Sequence, residues 1–416
     1  MTTFLREKSA MKIQRISRAA VYGLLLGASA VHAGDWRQFR GSDTSAVADA
    51  EAPPTKWSAD ENVAWQADLP GRGLSSPIIV GDRVFVTASS GYREERLHVL
   101  AYDVASGELV WERQFQATGR TGTHPKTSVA APTPASDGTR IFAFFSSNDL
   151  ICLDLDGQLL WYRGLTHDYP NVSNSLGMSS SPVVIGETLV VQAENDSQSL
   201  AFGINTATGE SRWTQERPKK ANWTSPIILS TDGGQTGVVV LQSSSGLHAV
   251  DPLSGEVKWT YADGASTIPS SVAAGGIVYA PSNGITAIKP LADSAGPEIV
   301  WTTGRVRPGT ASPLVYNGKL YTLNNAGVVV CASLDDGEVA WQLRLEGPFS
   351  GSPVAAAGYL FAVNEKGMGF VVKPGESEGE IVSENDLGET ILCTPAIADN
   401  AIFVRSDSKL WKIAGK

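Results

Sequence analysis

Histidine and cysteine are scarce in this 416-residue chain, with five His, at positions 32, 98, 124, 167 and 248, and three Cys, at 152, 331 and 393. No His-x-His or His-Glu-x-x-His spacing occurs, so a zinc centre of the usual local kind is excluded. The cysteines are isolated, each in an apolar strand-like stretch, which reads as buried thiols with at least one unpaired. There is no Gly-x-Ser-x-Gly elbow and no Gly-rich phosphate loop, so hydrolase and nucleotide chemistry have no local support. Asp154-x-Asp156-Gly157 has the residue types of a calcium loop but falls where the sequence needs a turn. Long apolar runs are missing too, apart from one near the N-terminus.

That run extends from Ala19 to Val31, follows Arg6, Lys8, Lys12, Arg15 and Arg18, and closes on Val31-His32-Ala33. It reads as a secretory signal over residues 1–33, too short and wrongly flanked to span a membrane. Met11 is an alternative start. Gly34, not Cys, follows the cleavage point, so a lipid anchor there is not expected. The chain's formal charge is −10, and losing residues 1–33 removes five basic residues against one acidic, which leaves the remainder more acidic still. Such a body repels nucleic acid and anionic lipid faces.

What the sequence does have is a repeat. Ala101-x-Asp103-x-x-Ser106-Gly107-x-x-x-Trp111 returns as Asn205-Thr208-Gly209-Trp213 and as Ala249-x-Asp251-x-x-Ser254-Gly255-x-x-x-Trp259, with weaker copies ending at Trp161, Trp301 and Trp341. A second marker keeps step with it: Ser76-Pro77, Thr133-Pro134, Ser181-Pro182, Ser225-Pro226, Ser312-Pro313, Ser352-Pro353 and Thr394-Pro395, with the permuted Pro269-Ser270-Ser271 filling one gap. Eight units result. Each reads as four short strands, in the first unit near residues 78–80, 83–87, 97–102 and 109–112, rich in branched and aromatic side chains. The Asp bonds backbone amides two residues on, and the Gly supplies the positive φ of a tight hairpin.

Repeated four-stranded units avoid open sheet edges by closing radially, so the expected fold is all-β, an eight-bladed propeller of antiparallel blades. The last unit has room for only three strands, whereas 61–65 looks like an outer strand with none before it. The two ends are therefore expected to share one blade, in a ring spanning 61–416 preceded by an extension over 34–60. The tryptophans at 65, 111, 161, 213, 259, 301 and 341 are read as structural, each docking one blade on the next. Burying such a ring contributes at most roughly 4–6 kcal/mol.

The Ala-x-Asp-x-x-Ser/Thr-Gly-x-x-x-Trp pattern resembles the pyrroloquinoline-quinone (PQQ) repeat family of propellers, over residues 35–413. Asp35-Trp36-Arg37-Gln38-Phe39-Arg40-Gly41 and Leu69-Pro70-Gly71-Arg72-Gly73 are similar to a subgroup likened to the outer-membrane assembly lipoprotein BamB. The WD and kelch signatures are absent. The resemblance implies an exported scaffold, periplasmic or secreted, monomeric or part of a larger complex, that binds envelope or outer-membrane proteins or peptides. Its catalytic branch implies an alternative: a dehydrogenase acting on an alcohol or sugar with PQQ and calcium, typically with the cofactor beneath a disulfide of adjacent cysteines. This chain has no adjacent cysteines and no Cys-x-x-Cys-His haem motif, so no cofactor is expected and an enzyme is the less favoured reading. A sensor of small ligands or glycans is the third reading.

Loop length gives the only positional clue to a site. The connections from Trp111 to Pro132 and from Trp161 to Pro182 are the longest, belong to adjoining blades and are expected side by side over the channel. With neighbouring loops they offer a candidate basic rim for a carboxylate-bearing or acidic partner: Arg72, His124, Lys126, Asn174, Arg217, Lys220, Trp223, Arg305 and Arg307.

Overall fold

The computed structural model describes residues 34–50, 52–58, 61–173, 175–230, 237–291 and 296–415. The expected signal segment and Asn174 therefore lie outside the described residues. The described chain forms eight four-stranded antiparallel sheets. In the first, Ile78–Val80, Arg83–Ser90, Arg96–Asp103 and Leu109–Gln116 pair in sequence order. Blades 2 to 7 repeat that order, from the sheet that opens at Ala135–Ser136 to the sheet that ends at Gly379–Asp386.

The eighth blade closes the ring as the sequence predicts. Its inner strands are Ala396–Ala398, Ala401–Arg405 and Lys409–Ile413, and its outer strand is Val63–Asp68 from the other end of the chain. Trp65 pairs with Lys412 and Ala67 with Leu410. The strand lies a little later than expected from the sequence, and its register shifts between Val63 and Trp65.

The core lies between blades. Phe142, Leu150 and Cys152 of blade 2, for instance, pack with Leu189, Val191 and Phe202 of blade 3. Each indole extends this packing to the next blade's hairpin. Trp65, Trp111, Trp161, Trp213, Trp301 and Trp341 donate from Nε1 to the carbonyls of Val104, Leu155, Thr206, Pro252, Leu334 and Gly375, at 2.7–3.0 Å. The turn glycine serves this contact as well as the turn: Gly255 has φ +74°, and a Cβ there would lie 2.6 Å from Cγ of Trp213. The outer strand of blade 7 has no tryptophan, and Trp57 from the N-terminal segment packs on Gly369 of that blade instead.

All three cysteines are buried and free, in blades 2, 6 and 8. Burial pushes the Cys152 thiol up to about 12 and the Cys393 thiol up to about 11.

Candidate functional site

The proline that opens each blade has no N–H to satisfy at the inner wall, and the Ser or Thr before it makes the wall. The amide of Ser76 donates to Oγ1 of Thr133, and Thr133 to Ser181, Ser181 to Ser225, Ser225 to Ser270, Ser270 to Ser312, Ser312 to Ser352 and Ser352 to Thr394, all at 2.9–3.0 Å. This hydroxyl belt ties every blade to the next. In blade 5 the permutation puts Ser271 where the others have proline, so an extra amide needs an acceptor. Gln242 Oε1 supplies it, accepting from Ser271 N at 2.8 Å and from Ser271 Oγ at 2.6 Å.

The belt breaks at the seam where the chain ends meet. Ser76 Oγ is buried there without a partner. Beside it, Arg405 is wholly buried, donating from Nε to the Ser406 carbonyl and from Nη1 to Ser75 Oγ and the Thr87 carbonyl. Loss of hydration lowers its guanidinium to about 10.

One face of the channel is closed by a strap that precedes the ring, residues 36–50 with Ala52. The Trp36 amide bonds the Ile79 carbonyl in blade 1, and the Arg37 carbonyl accepts from Ser136 in blade 2. Gln38 Oε1 accepts from Val184 N in blade 3, and Thr44 Oγ1 from Ile228 N in blade 4. Arg40 donates to the carbonyls of Ser271 in blade 5 and Pro313 in blade 6. Ala46 and Ala48 pair with Ala355 in blade 7, and Ala52 reaches Asn400 in blade 8. The strap thus holds all eight blades. It buries Arg40 completely, lowering its guanidinium to about 10 by desolvation. Within it Phe39 faces the channel.

Above Phe39 the channel is a cavity of about 400 Å³ lined by all eight belt residues and opening on the long-loop face. The two long loops do lie side by side: His124 N donates to the Leu176 carbonyl at 2.8 Å. His124, Lys126 and Trp223 line this mouth, and Arg72 stands beside it, donating to the Pro125 carbonyl and pairing with Glu94 at 3.6 Å and Asp407 at 3.3 Å. His124 Nδ1 accepts from Lys126 N at 3.1 Å, a turn-forming role. Lys126 Nζ reaches Glu365 at 2.9 Å, and Ser350 Oγ bonds the same carboxylate.

Other expected rim residues are placed elsewhere. Arg217 is buried in an ion pair with Glu194 at 2.6 Å and donates to His248 Nδ1 at 2.8 Å. Burial and the Arg217 charge both lower His248, which keeps its ring neutral as an acceptor. Lys220, Arg305 and Arg307 are exposed and do not line the cavity; Arg305 pairs with Glu338 at 3.1 Å. What sequence reasoning missed is the belt and the strap: the hydroxyls were visible in the Ser/Thr-Pro steps, but read only as punctuation.

A family model described as outer membrane protein assembly factor BamB matches residues 26–177, 171–284 and 283–373. The chain belongs to this BamB family. Curated BamB relatives from Burkholderia pseudomallei and Legionella pneumophila are each 26% identical, over 227 and 219 residues, covering 52% and 51% of this chain. Each match spans about half the length of that relative. Among solved structures, BamB from Moraxella catarrhalis superposes with TM-score 0.59 at 16% identity, over 85% of this chain and 97% of the other. The quinohemoprotein alcohol dehydrogenase of Comamonas testosteroni gives 0.65 at 13% identity, over 94% and 82%. At such identities both likenesses show the fold alone.

The residues present do not fit PQQ with calcium. A quinone with three carboxylates calls for several cations, whereas Lys126 is the cation lining the cavity and it is already paired with Glu365. The cysteines lie in separate blades, and among the described residues no three His, Cys, Asp or Glu side chains stand where they could hold a metal ion. No helix among the described residues is long and apolar enough to cross a membrane.

Proposed function

We propose that this BamB-family ring is an exported, non-enzymatic scaffold of the cell envelope that holds outer-membrane proteins or peptides on its long-loop face. The observation that carries the reading is the inequality of the two faces in a chain matched by the BamB model. One face is occupied by the chain's own strap, and the other presents adjoining loops around an open mouth. Loops on a rigid ring bind without a large ordering cost, because the scaffold already fixes them. Arg72, His124, Lys126 and Trp223 form the centre of the proposed surface; Lys220, Arg305 and Arg307 lie outside it. The signal-like N-terminus supports export, and the periplasm is the compartment consistent with the family.

Photocrosslinking in cells tests this reading. A photoreactive residue at Leu176 or Ile268, both exposed at the mouth, should give discrete adducts with envelope proteins. The same probe at Gly81 or Gly186, in turns with open space around them, should not. Adducts from both faces alike, or from neither, refute the proposal. Charge reversal at Arg72 and Lys126 that leaves the adducts intact removes those two residues from the surface. Steady turnover of an alcohol with added PQQ, calcium and a dye acceptor would replace the scaffold reading by the dehydrogenase one.

A further inference from the structure

The belt has a chemical consequence that a purely structural ring does not require. In seven of its eight positions the hydroxyl oxygen already accepts a backbone N–H, which occupies one of its two lone pairs and leaves the O–H as the donor it can offer the channel. Among the described residues no acceptor receives these protons. Two further hydroxyls on the same cavity, Ser76 Oγ and Thr127 Oγ1, are buried with no partner at all. Buried polar groups are normally satisfied, so a crown of unspent donors around one cavity marks a place where an acceptor belongs.

Charge and shape narrow the acceptor. No Asp or Glu lines the cavity, and at its mouth stand His124 and Lys126, the latter paired with Glu365. Beyond the belt the lining mixes hydroxyls of Thr127, Ser179, Thr310 and Ser350 with the apolar side chains of Leu74, Leu176, Trp223, Ile268, Leu392 and Phe39. A volume of about 400 Å³ is the size of a small-molecule site and too small for a folded partner. We propose that the cavity binds a small carboxylate on an apolar or aromatic body, its oxygens on the hydroxyl crown and its body against the mouth. An ionised carboxylate is acceptor-only and takes several O–H donors at once, which offsets its loss of hydration. This site shares its mouth, including His124, Lys126 and Trp223, with the protein-binding surface proposed above, but its hydroxyl crown belongs to the channel and is read by a small ligand alone.

Fluorine NMR of para-trifluoromethylbenzoate against the full folded protein reads the site directly, with para-trifluoromethylbenzylamine as the same shape carrying the opposite charge. Saturable broadening and shift are expected for the carboxylate and none for the amine. Ile268→Trp narrows the mouth at an exposed side chain and should abolish the signal. Lys126→Gln should change binding little, because its ammonium is paired with Glu365 at the mouth and the carboxylate sits on the crown. Both substitutions lie at exposed positions, and an unchanged melting profile shows that the ring is intact. Ser312→Ala removes one crown donor and should weaken binding at matched temperature below its own melt. No saturable response to the carboxylate, an equal response to the amine, or binding unchanged in Ile268→Trp overturns the proposal.

Discussion

Replacing Gly255 with alanine should destabilise the ring chiefly through its neighbour's indole, and a double-mutant cycle with Trp213→Ala isolates that effect. At φ +74° an alanine costs ~1–2 kcal/mol for the left-handed backbone alone. Its Cβ would also lie 2.6 Å from Cγ of Trp213, an overlap of the kind that costs roughly 1–3 kcal/mol. Trp213→Ala removes an indole that is 8% exposed and its bond to the Pro252 carbonyl, a loss of ~3–5 kcal/mol. With the indole gone the overlap disappears but the backbone cost stays. The double variant should therefore be more stable than the sum of the single effects by roughly 1–3 kcal/mol. Gly81→Ala, at φ +56° with open space around it, supplies the control and should show the backbone cost only. Guanidinium denaturation followed by far-UV circular dichroism measures all four variants. Additivity of the pair to within ~0.5 kcal/mol would refute the docking account.

Arg40→Met should cost about 2–5 kcal/mol, because the carbonyls of Ser271 and Pro313 lose a buried donor, and should open the strap to proteolysis before the ring melts. Deleting residues 34–66 removes the strap and most of the closing strand and should leave an aggregating ring; a cooperative, unchanged melt contradicts this. Asp103 and Asp251 are held below the usual carboxylate range by backbone N–H groups of their own turns, above all those of Ser106 and Ser254. Their contribution is fully present above about pH 4 and lost as pH falls through the depressed values, so the melting temperature should drop on acidification, less so in Asp103→Asn. Iodoacetamide at neutral pH should leave all three thiols unmodified in the native protein and alkylate them after denaturation, as buried thiols with raised pKa require.

The ring was legible because its rules are local. Turn chemistry at Asp103-Gly107 or Asp251-Gly255 and a Pro step before each inner strand are sequence-near signals, and their count fixed eight blades and the shared one. The strap was not legible for the opposite reason. Gln38 and Arg40 are polar residues in an extension without periodicity, and their partners lie 146 to 273 residues away. Arg217 shows the same limit. It reads as a loop cation until Glu194, 23 residues earlier, folds against it in the interior. The mouth was partly legible, since loop length placed Lys126 and His124 there and the equivalent loop of the next blade added Trp223, but the unspent hydroxyls depend on which atoms their oxygens already serve.

Native-state hydrogen exchange at the amides of Trp36 and Ala48 tests the two-faced ring most directly. These N–H groups donate to the Ile79 and Ala355 carbonyls across the closed face. Protection close to that of the inner strands is the predicted result. Exchange at the rate of exposed loops would mean that the strap is not seated, both faces are open, and the assignment of the partner surface to one of them fails.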